Sequence, residues 1–75
     1  MERYRDLTGD SGVLAYETGD DYIKIRFRGG DIYLYTNAIT GQRNIEQMKR
    51  LAAKGRGLST FISQHVKDRY AAKLE

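Results

Sequence analysis

The sequence predicts an α+β domain: a three-stranded antiparallel β-meander followed by two α-helices packed on one face. Three observations carry that prediction. Period-two runs rich in β-branched and aromatic residues lie at 13–17, 22–28 and 31–35. Gly29-Gly30 separates the last two runs, a short-range hairpin signal. From Asn44 onward, apolar residues recur at helical spacing between capping residues.

Met1 to Ser11 shows no sustained periodicity, and Thr8-Gly-Asp-Ser-Gly12 reads as turn chemistry. Residues 1–12 are therefore expected as a flexible arm with room for a short edge strand. The first strand, Val13–Glu17, is closed by Thr18-Gly-Asp-Asp21. Pairing Glu17 with Tyr22 sets Leu14 and Tyr16 opposite Ile25 and Ile23 as an apolar face. Val13, Ala15 and Glu17 then share the other face with Tyr22, Lys24 and Arg26.

The second hairpin admits two registers. A two-residue Gly29-Gly30 loop pairs Phe27 with Ile32 and Ile25 with Leu34. It leaves Tyr33 and Tyr35 on the outer face beside Lys24, Arg26 and Arg28. A three-residue loop with Asp31 left-handed pairs Phe27 with Tyr33 and Ile25 with Tyr35, and buries both tyrosines. One residue of slip exchanges the faces. The pattern prefers the first register, which leaves no aliphatic pair on the polar side.

Asn37–Gln42 is a connector. A helix is expected over 44–54, with Asn44 as N-cap, Gln47 three residues on, Ile45, Met48, Leu51 and Ala52 apolar, and Gly55 as the stop. A second runs from Ser59 to Tyr70, with Leu58, Phe61, Ile62, Val66 and Tyr70 on one side. The single domain is thus expected over 13–73. Leu74-Glu75 looks like what a cloning site leaves before a purification tag and enters no functional argument.

Seventy-five residues make one small domain near the limit of self-sufficient folding, so a monomer with a modest core is expected. With no cysteine there is neither disulfide framework nor thiolate metal site, which suits a reducing cytoplasm. No segment reads as a signal peptide or a bilayer span, so no membrane association is expected. The net charge of +3 is unevenly spread. Residues 1–42 hold five basic and seven acidic side chains, whereas 43–75 hold eight basic and three acidic. The second half thus projects a positive field, the footprint of anion binding or, equally, of a solvated helical face.

With these elements placed, the chain resembles the KTSC domain, a family of small modules found alone in bacteria and phages and at the C-terminus of some lysyl-tRNA synthetases. The resemblance rests on Leu14-x-Tyr16, Ile23-x-Ile25-x-Phe27 and the spacing Phe27-x-x-Gly30-x-x-Tyr33-x-Tyr35, with weaker support from Ala53-Lys-Gly55 and Val66-Lys-x-Arg-Tyr70. It spans about Val13 to Tyr70. The resemblance implies the same α+β fold and, through the tRNA enzyme, RNA binding. It also implies inward-facing tyrosines, although Leu34 stands where family members often carry a polar residue.

Two constellations could bind nucleic acid. An outer sheet face with Tyr33 and Tyr35 among Lys24, Arg26 and Arg28 would stack bases and neutralise phosphates; the bland alternative is cross-strand cation–aromatic pairing without a ligand. Arg50 and Lys54 share a helical face, and Arg56, in Gly55-Arg-Gly57, sits where the second helix begins, an anion site by geometry. The alternative there is that the glycines only stop one helix and start another. His65, the single histidine, is expected at the edge of the helix packing face and makes no metal site alone. No nucleophile–base arrangement stands out, so neither catalysis nor a cofactor is expected. The expected function is non-catalytic binding of RNA or single-stranded nucleic acid, with a small protein-interaction module as the alternative.

Overall fold

The computed structural model describes residues 1–7, 9 and 12–75. Among these residues five strands pair antiparallel in chain order: β1 (Glu2–Arg3), β2 (Val13–Thr18), β3 (Tyr22–Phe27), β4 (Ile32–Thr36) and β5 (Ala72–Lys73). Between β4 and β5 come α1 (Asn37–Thr40), α2 (Gln42–Lys54), α3 (Leu58–Phe61) and a π-helical segment, Ile62–Val66. The fold is α+β. The three-stranded meander is widened by a two-residue strand at each edge.

The β3–β4 turn decides which side chains face inward. Its loop is Arg28-Gly29-Gly30: the Phe27 N–H donates to the Asp31 carbonyl at 2.8 Å and the Gly30 N–H to the Phe27 carbonyl at 3.0 Å. Gly29 and Gly30 have φ of +100° and +99°, a region where a Cβ is strained. Ile25 therefore pairs with Tyr33 and Ile23 with Tyr35. Neither expected pairing occurs, and the preferred one is corrected. Tyr33 and Tyr35 stand on the inner face with Ile23 and Ile25, while Ile32 and Leu34 go outside with Lys24 and Arg26.

The β2–β3 register is corrected too. Tyr16 pairs with Ile25 and Glu17 with Lys24, and a bulge separates Val13 from Ala15. The extra residue reverses the pleat beyond it. Val13 is therefore buried, and Leu14, expected inside, is 40 % exposed.

Helices cover the inner face. Ile45, Met48 and Ala52 of α2, with Leu58, Ile62 and Val66, close over Val13, Tyr16, Ile23, Ile25 and Tyr35. Helix α2 starts earlier than expected, after Gly41 instead of Asn44, whose side-chain amide donates to the Thr40 carbonyl at 2.9 Å. It stops as expected: Gly55 is left-handed, and its N–H donates to the Leu51 and Ala52 carbonyls. The second helix does not run to Tyr70. It widens into the π segment and ends at Lys67, whose φ of 52° departs from helical geometry. The chain then turns back, and Ala71 N–H and Leu74 N–H donate to the carbonyls of Leu34 and Ile32. Ile32 N–H in turn donates to the Glu75 carbonyl, so the last two residues belong to the sheet edge.

The N-terminal segment is no free arm. Tyr4 is 2 % exposed, its N–H donates to the Leu14 carbonyl at 2.9 Å, and Leu7 N–H donates to the Gly55 carbonyl at 2.7 Å. Burying a large aromatic outweighs the entropy of a loose segment in a chain short of core. Of the turn expected at 8–12, Thr8, Asp10 and Ser11 lie outside the described residues.

Replacing Gly55 tests this junction. A Cβ there would sit at φ +81° and 2.8 Å from the Cβ of Arg5. Gly55→Ala is expected to cost about 1–3 kcal/mol in urea unfolding, from the left-handed backbone and the displaced N-terminal segment. An unchanged midpoint would show that the segment does not dock on this helix end.

Candidate functional site

The eight residues singled out from the sequence for nucleic-acid binding fall in four places. Tyr33 and Tyr35 are on the inner face. Lys24 and Arg26 are on the outer face of β3. Arg28 occupies the hairpin turn, its guanidinium 3.7 Å from the Asp6 carboxylate. Arg50 and Lys54 are exposed on α2, and Arg56 is exposed beyond its end. No single surface collects them.

Among the described residues the outer face of β2 to β4 has one ring, Tyr22, and that ring is engaged. It lies against the Gly19 backbone so closely that a Cβ at that position would fall 2.0 Å from the ring. Its hydroxyl donates to Glu17 at 2.9 Å. Lys24 completes the cluster, 3.5 Å from Glu17 and 5.7 Å from the Tyr22 centroid. The Tyr22 hydrogen bond, and next the Lys24 charge, hold the Glu17 carboxyl below its usual range. Cation–aromatic pairing does occur here, but within β3 instead of with Tyr33 or Tyr35.

At the junction around Arg56, weighed as an anion site or as glycines that only stop one helix and start another, the helix that follows is short. Helix α3 has four residues, and its first amide, Leu58 N–H, points to the Tyr4 hydroxyl oxygen at 3.4 Å. That amide thus has its partner within the fold.

A better-formed site lies between α2 and α3. Gln42, Arg43, Glu46, Gln47 and Arg50 line one wall of a cleft of about 660 Å³, and Phe61 closes the other. Arg43, Gln47 and Arg50 stand at i, i+4 and i+7, one stripe of α2. The Arg50 guanidinium donates to the Gln47 side-chain oxygen at 2.9 Å, which steadies it, and among the described residues neither arginine has a carboxylate partner. The acid in the cleft, Glu46, is drawn to Lys49 at 3.6 Å. The half-buried Phe61 ring packs at a tilt against exposed His65, centroids 4.8 Å apart and planes inclined by 32°. The cleft therefore offers two guanidinium groups and the Phe61 ring, with the exposed His65 ring tilted against Phe61 outside its lining. Arg43 was not singled out from the sequence, although its i, i+4 spacing to Gln47 was there to find it; from sequence His65 reads as an edge residue of the helix packing face, not as a partner in a site.

On the other side of the π segment the inner-face tyrosines meet Tyr70. The centroids of Tyr33 and Tyr70 are 4.6 Å apart, those of Phe27 and Tyr33 5.6 Å, and those of Tyr35 and Tyr70 6.3 Å. Burial, reinforced by Tyr33 and Tyr70, pushes the Tyr35 phenol up to about 12. Among the described residues no group of three or more His, Cys, Asp or Glu is placed to hold a metal ion. None of their helices is long and apolar enough to cross a membrane.

Tyr35 carries a pH signature. An unfolded tyrosine ionises near pH 10, so below that pH the phenol is neutral in both states and its contribution is whole. As pH climbs toward 12 the unfolded chain ionises first, and stability falls. By pH 11 the loss from this group should be about 1–2 kcal/mol. Urea unfolding at pH 9 and pH 11 should show a smaller difference for Tyr35→Phe than for the parent chain; equal differences would mean the phenol is not held neutral.

Compared with protein-family models, curated proteins and solved structures, the chain shows no match.

Proposed function

We propose that the protein is a non-catalytic, cytoplasmic binding module that takes RNA or another single-stranded nucleic acid in the cleft between α2 and α3. The observation that carries this reading is one cleft that joins two carboxylate-free guanidinium groups, Arg43 and Arg50, to the Phe61 ring, with exposed His65 tilted against that ring beside the cleft. Single-stranded RNA is recognised where unstacked bases lie on aromatic or guanidinium planes and phosphates meet cations. Lys54 and Arg56 extend the positive surface beyond the cleft, within the half of the chain that holds eight basic against three acidic residues. RNA binding is also what the resemblance to the KTSC domain implies.

A protein partner is the second reading, favoured by the outer sheet face. Ala15, Ile32 and Leu34 are only half-buried there, and none of the outer-face residues from β2 to β4 is buried. Salt separates the two readings. Phosphate contacts release counterions, so nucleic-acid affinity falls steeply with ionic strength, whereas an apolar interface responds little.

Fluorescence anisotropy with mixed-sequence single-stranded RNA should show binding at low salt. Arg43→Ala with Arg50→Ala should lower affinity about tenfold and flatten the log–log salt dependence by about 0.7 for each phosphate no longer neutralised. His65→Ala, at an exposed position, should weaken binding about fivefold or more by removing a stacking ring. Lys24→Ala with Arg26→Ala should leave affinity unchanged. Absence of binding at low salt, or dependence on the β3 pair instead of the α2 pair, would overturn the assignment.

A further inference from the structure

The aromatic cluster around Tyr33 opens to solvent as a cup of about 410 Å³. Phe27, Tyr33 and Tyr70 supply rings, Asp31 and Asp68 supply carboxylates, and Lys67 stands at the edge. The cup is built by the backbone reversal after the π segment. Lys67 takes a φ of 52° and ψ of −120°, and the buried Thr40 hydroxyl donates to the Arg69 carbonyl at 2.5 Å. These two features bring Tyr70 back across Tyr33. A non-glycine residue at positive φ and a π-helical turn are both features that concentrate at functional sites.

Ring orientation says what shape the cup accepts. Phe27 and Tyr33 are inclined by 73°, Tyr33 and Tyr70 by 56°, and Tyr35 and Tyr70 by 88°. A flat nucleobase can lie against only one of such walls. A compact, nearly spherical group can touch several. Aromatic faces carry negative potential, which favours a cation over a neutral group of the same shape. The carboxylates add to that preference. Asp31 is shared with Lys73 at 3.7 Å, while Asp68 has no ion-pair partner among the described residues. The protein does not fill the cup with a cation of its own: among the described residues the cation–ring contact is Lys24 over Tyr22, on the outer face.

We propose that the cup formed by Phe27, Tyr33 and Tyr70 with Asp68 at its rim binds a methylated ammonium group. The site is separate from the α2–α3 cleft and stands whether or not that cleft binds nucleic acid. Lys67 works against the ligand electrostatically and limits its affinity.

The test uses the full chain at low salt, with tyrosine-ring resonances followed by NMR. Choline should produce saturable shifts in Tyr33 and Tyr70 but not in Tyr22. Its neutral carbon isostere, 3,3-dimethylbutanol, should bind about tenfold more weakly. Asp68→Asn, at an exposed position, should weaken choline binding about threefold, and Lys67→Gln should strengthen it by a similar factor. Tyr70→Phe should keep binding and Tyr70→Leu should lose it. A short trimethyllysine peptide identifies the source of the group: tighter binding than choline points to a modified side chain, and equal binding to a small free cation. No saturable shift, equal binding of the isostere, or indifference to Asp68→Asn and Lys67→Gln would overturn the proposal.

Discussion

The loop Arg28-Gly29-Gly30 is the constraint on which the other features depend. Two successive residues at φ near +100° close the β3–β4 hairpin after three residues and set Phe27 opposite Asp31. Since side chains alternate along a strand, that closure places every β4 residue on one face or the other. Tyr33 and Tyr35 go under the helices, and Ile32 and Leu34 go outside. The cations of β3 are thereby parted from the rings of β4. On the outer face Tyr22 is held in the Glu17–Tyr22–Lys24 cluster, whose members already satisfy one another. The inner face gains an aromatic cluster too large to bury entirely, and its uncovered rings become the wall of the cup.

A chain of 75 residues has few apolar side chains for a core, and this one recruits both ends. Tyr4 enters the core from the N-terminal segment, where its hydroxyl oxygen also faces the first amide of α3. Tyr70 comes from the C-terminal segment, held by the Thr40–Arg69 hydrogen bond and by pairing to β4. The same two segments become the edge strands. At two residues each they present little free backbone to a neighbouring chain, a common protection for exposed sheet edges. Core filling and edge closure thus come from the same residues.

The strands, α2 and the Gly55 stop were legible because each rests on local signals: period-two runs, a helical stripe and a left-handed glycine. Register was not. Ile32 and Leu34 alternate with Tyr33 and Tyr35, so either set makes a credible core face and periodicity alone cannot choose its phase. The choice is made by backbone geometry at Gly29-Gly30, and by a bulge at Leu14 that shows no marker in composition. Edge strands of two residues are too short to leave a pattern. The candidate site suffered from the same cause. Residues read as one basic and aromatic surface lie on two faces of a sheet, and of the helical cations only Arg50 lines the cleft with Arg43 and Phe61.

The π segment explains how neighbouring residues serve different sites. Leu58, Ile62 and Val66 are all buried, at a stride of four. In an α-helix of 3.6 residues per turn such a stripe drifts steadily around the axis. Widening the turn to i→i+5 bonding, as in Lys67 N–H to the Ile62 carbonyl, offsets that drift and holds the apolar stripe against the sheet. The parallel stripe, Phe61 and His65, is held in register by the same widening, and their rings pack at a tilt. Phe61 then faces the guanidinium-lined cleft, while Ile62, next in the chain, lines the aromatic cup. One short helical element so divides the guanidinium-lined cleft from the carboxylate-rimmed cup. Their electrostatics are opposite, which makes ionic strength and ligand charge the variables that tell them apart.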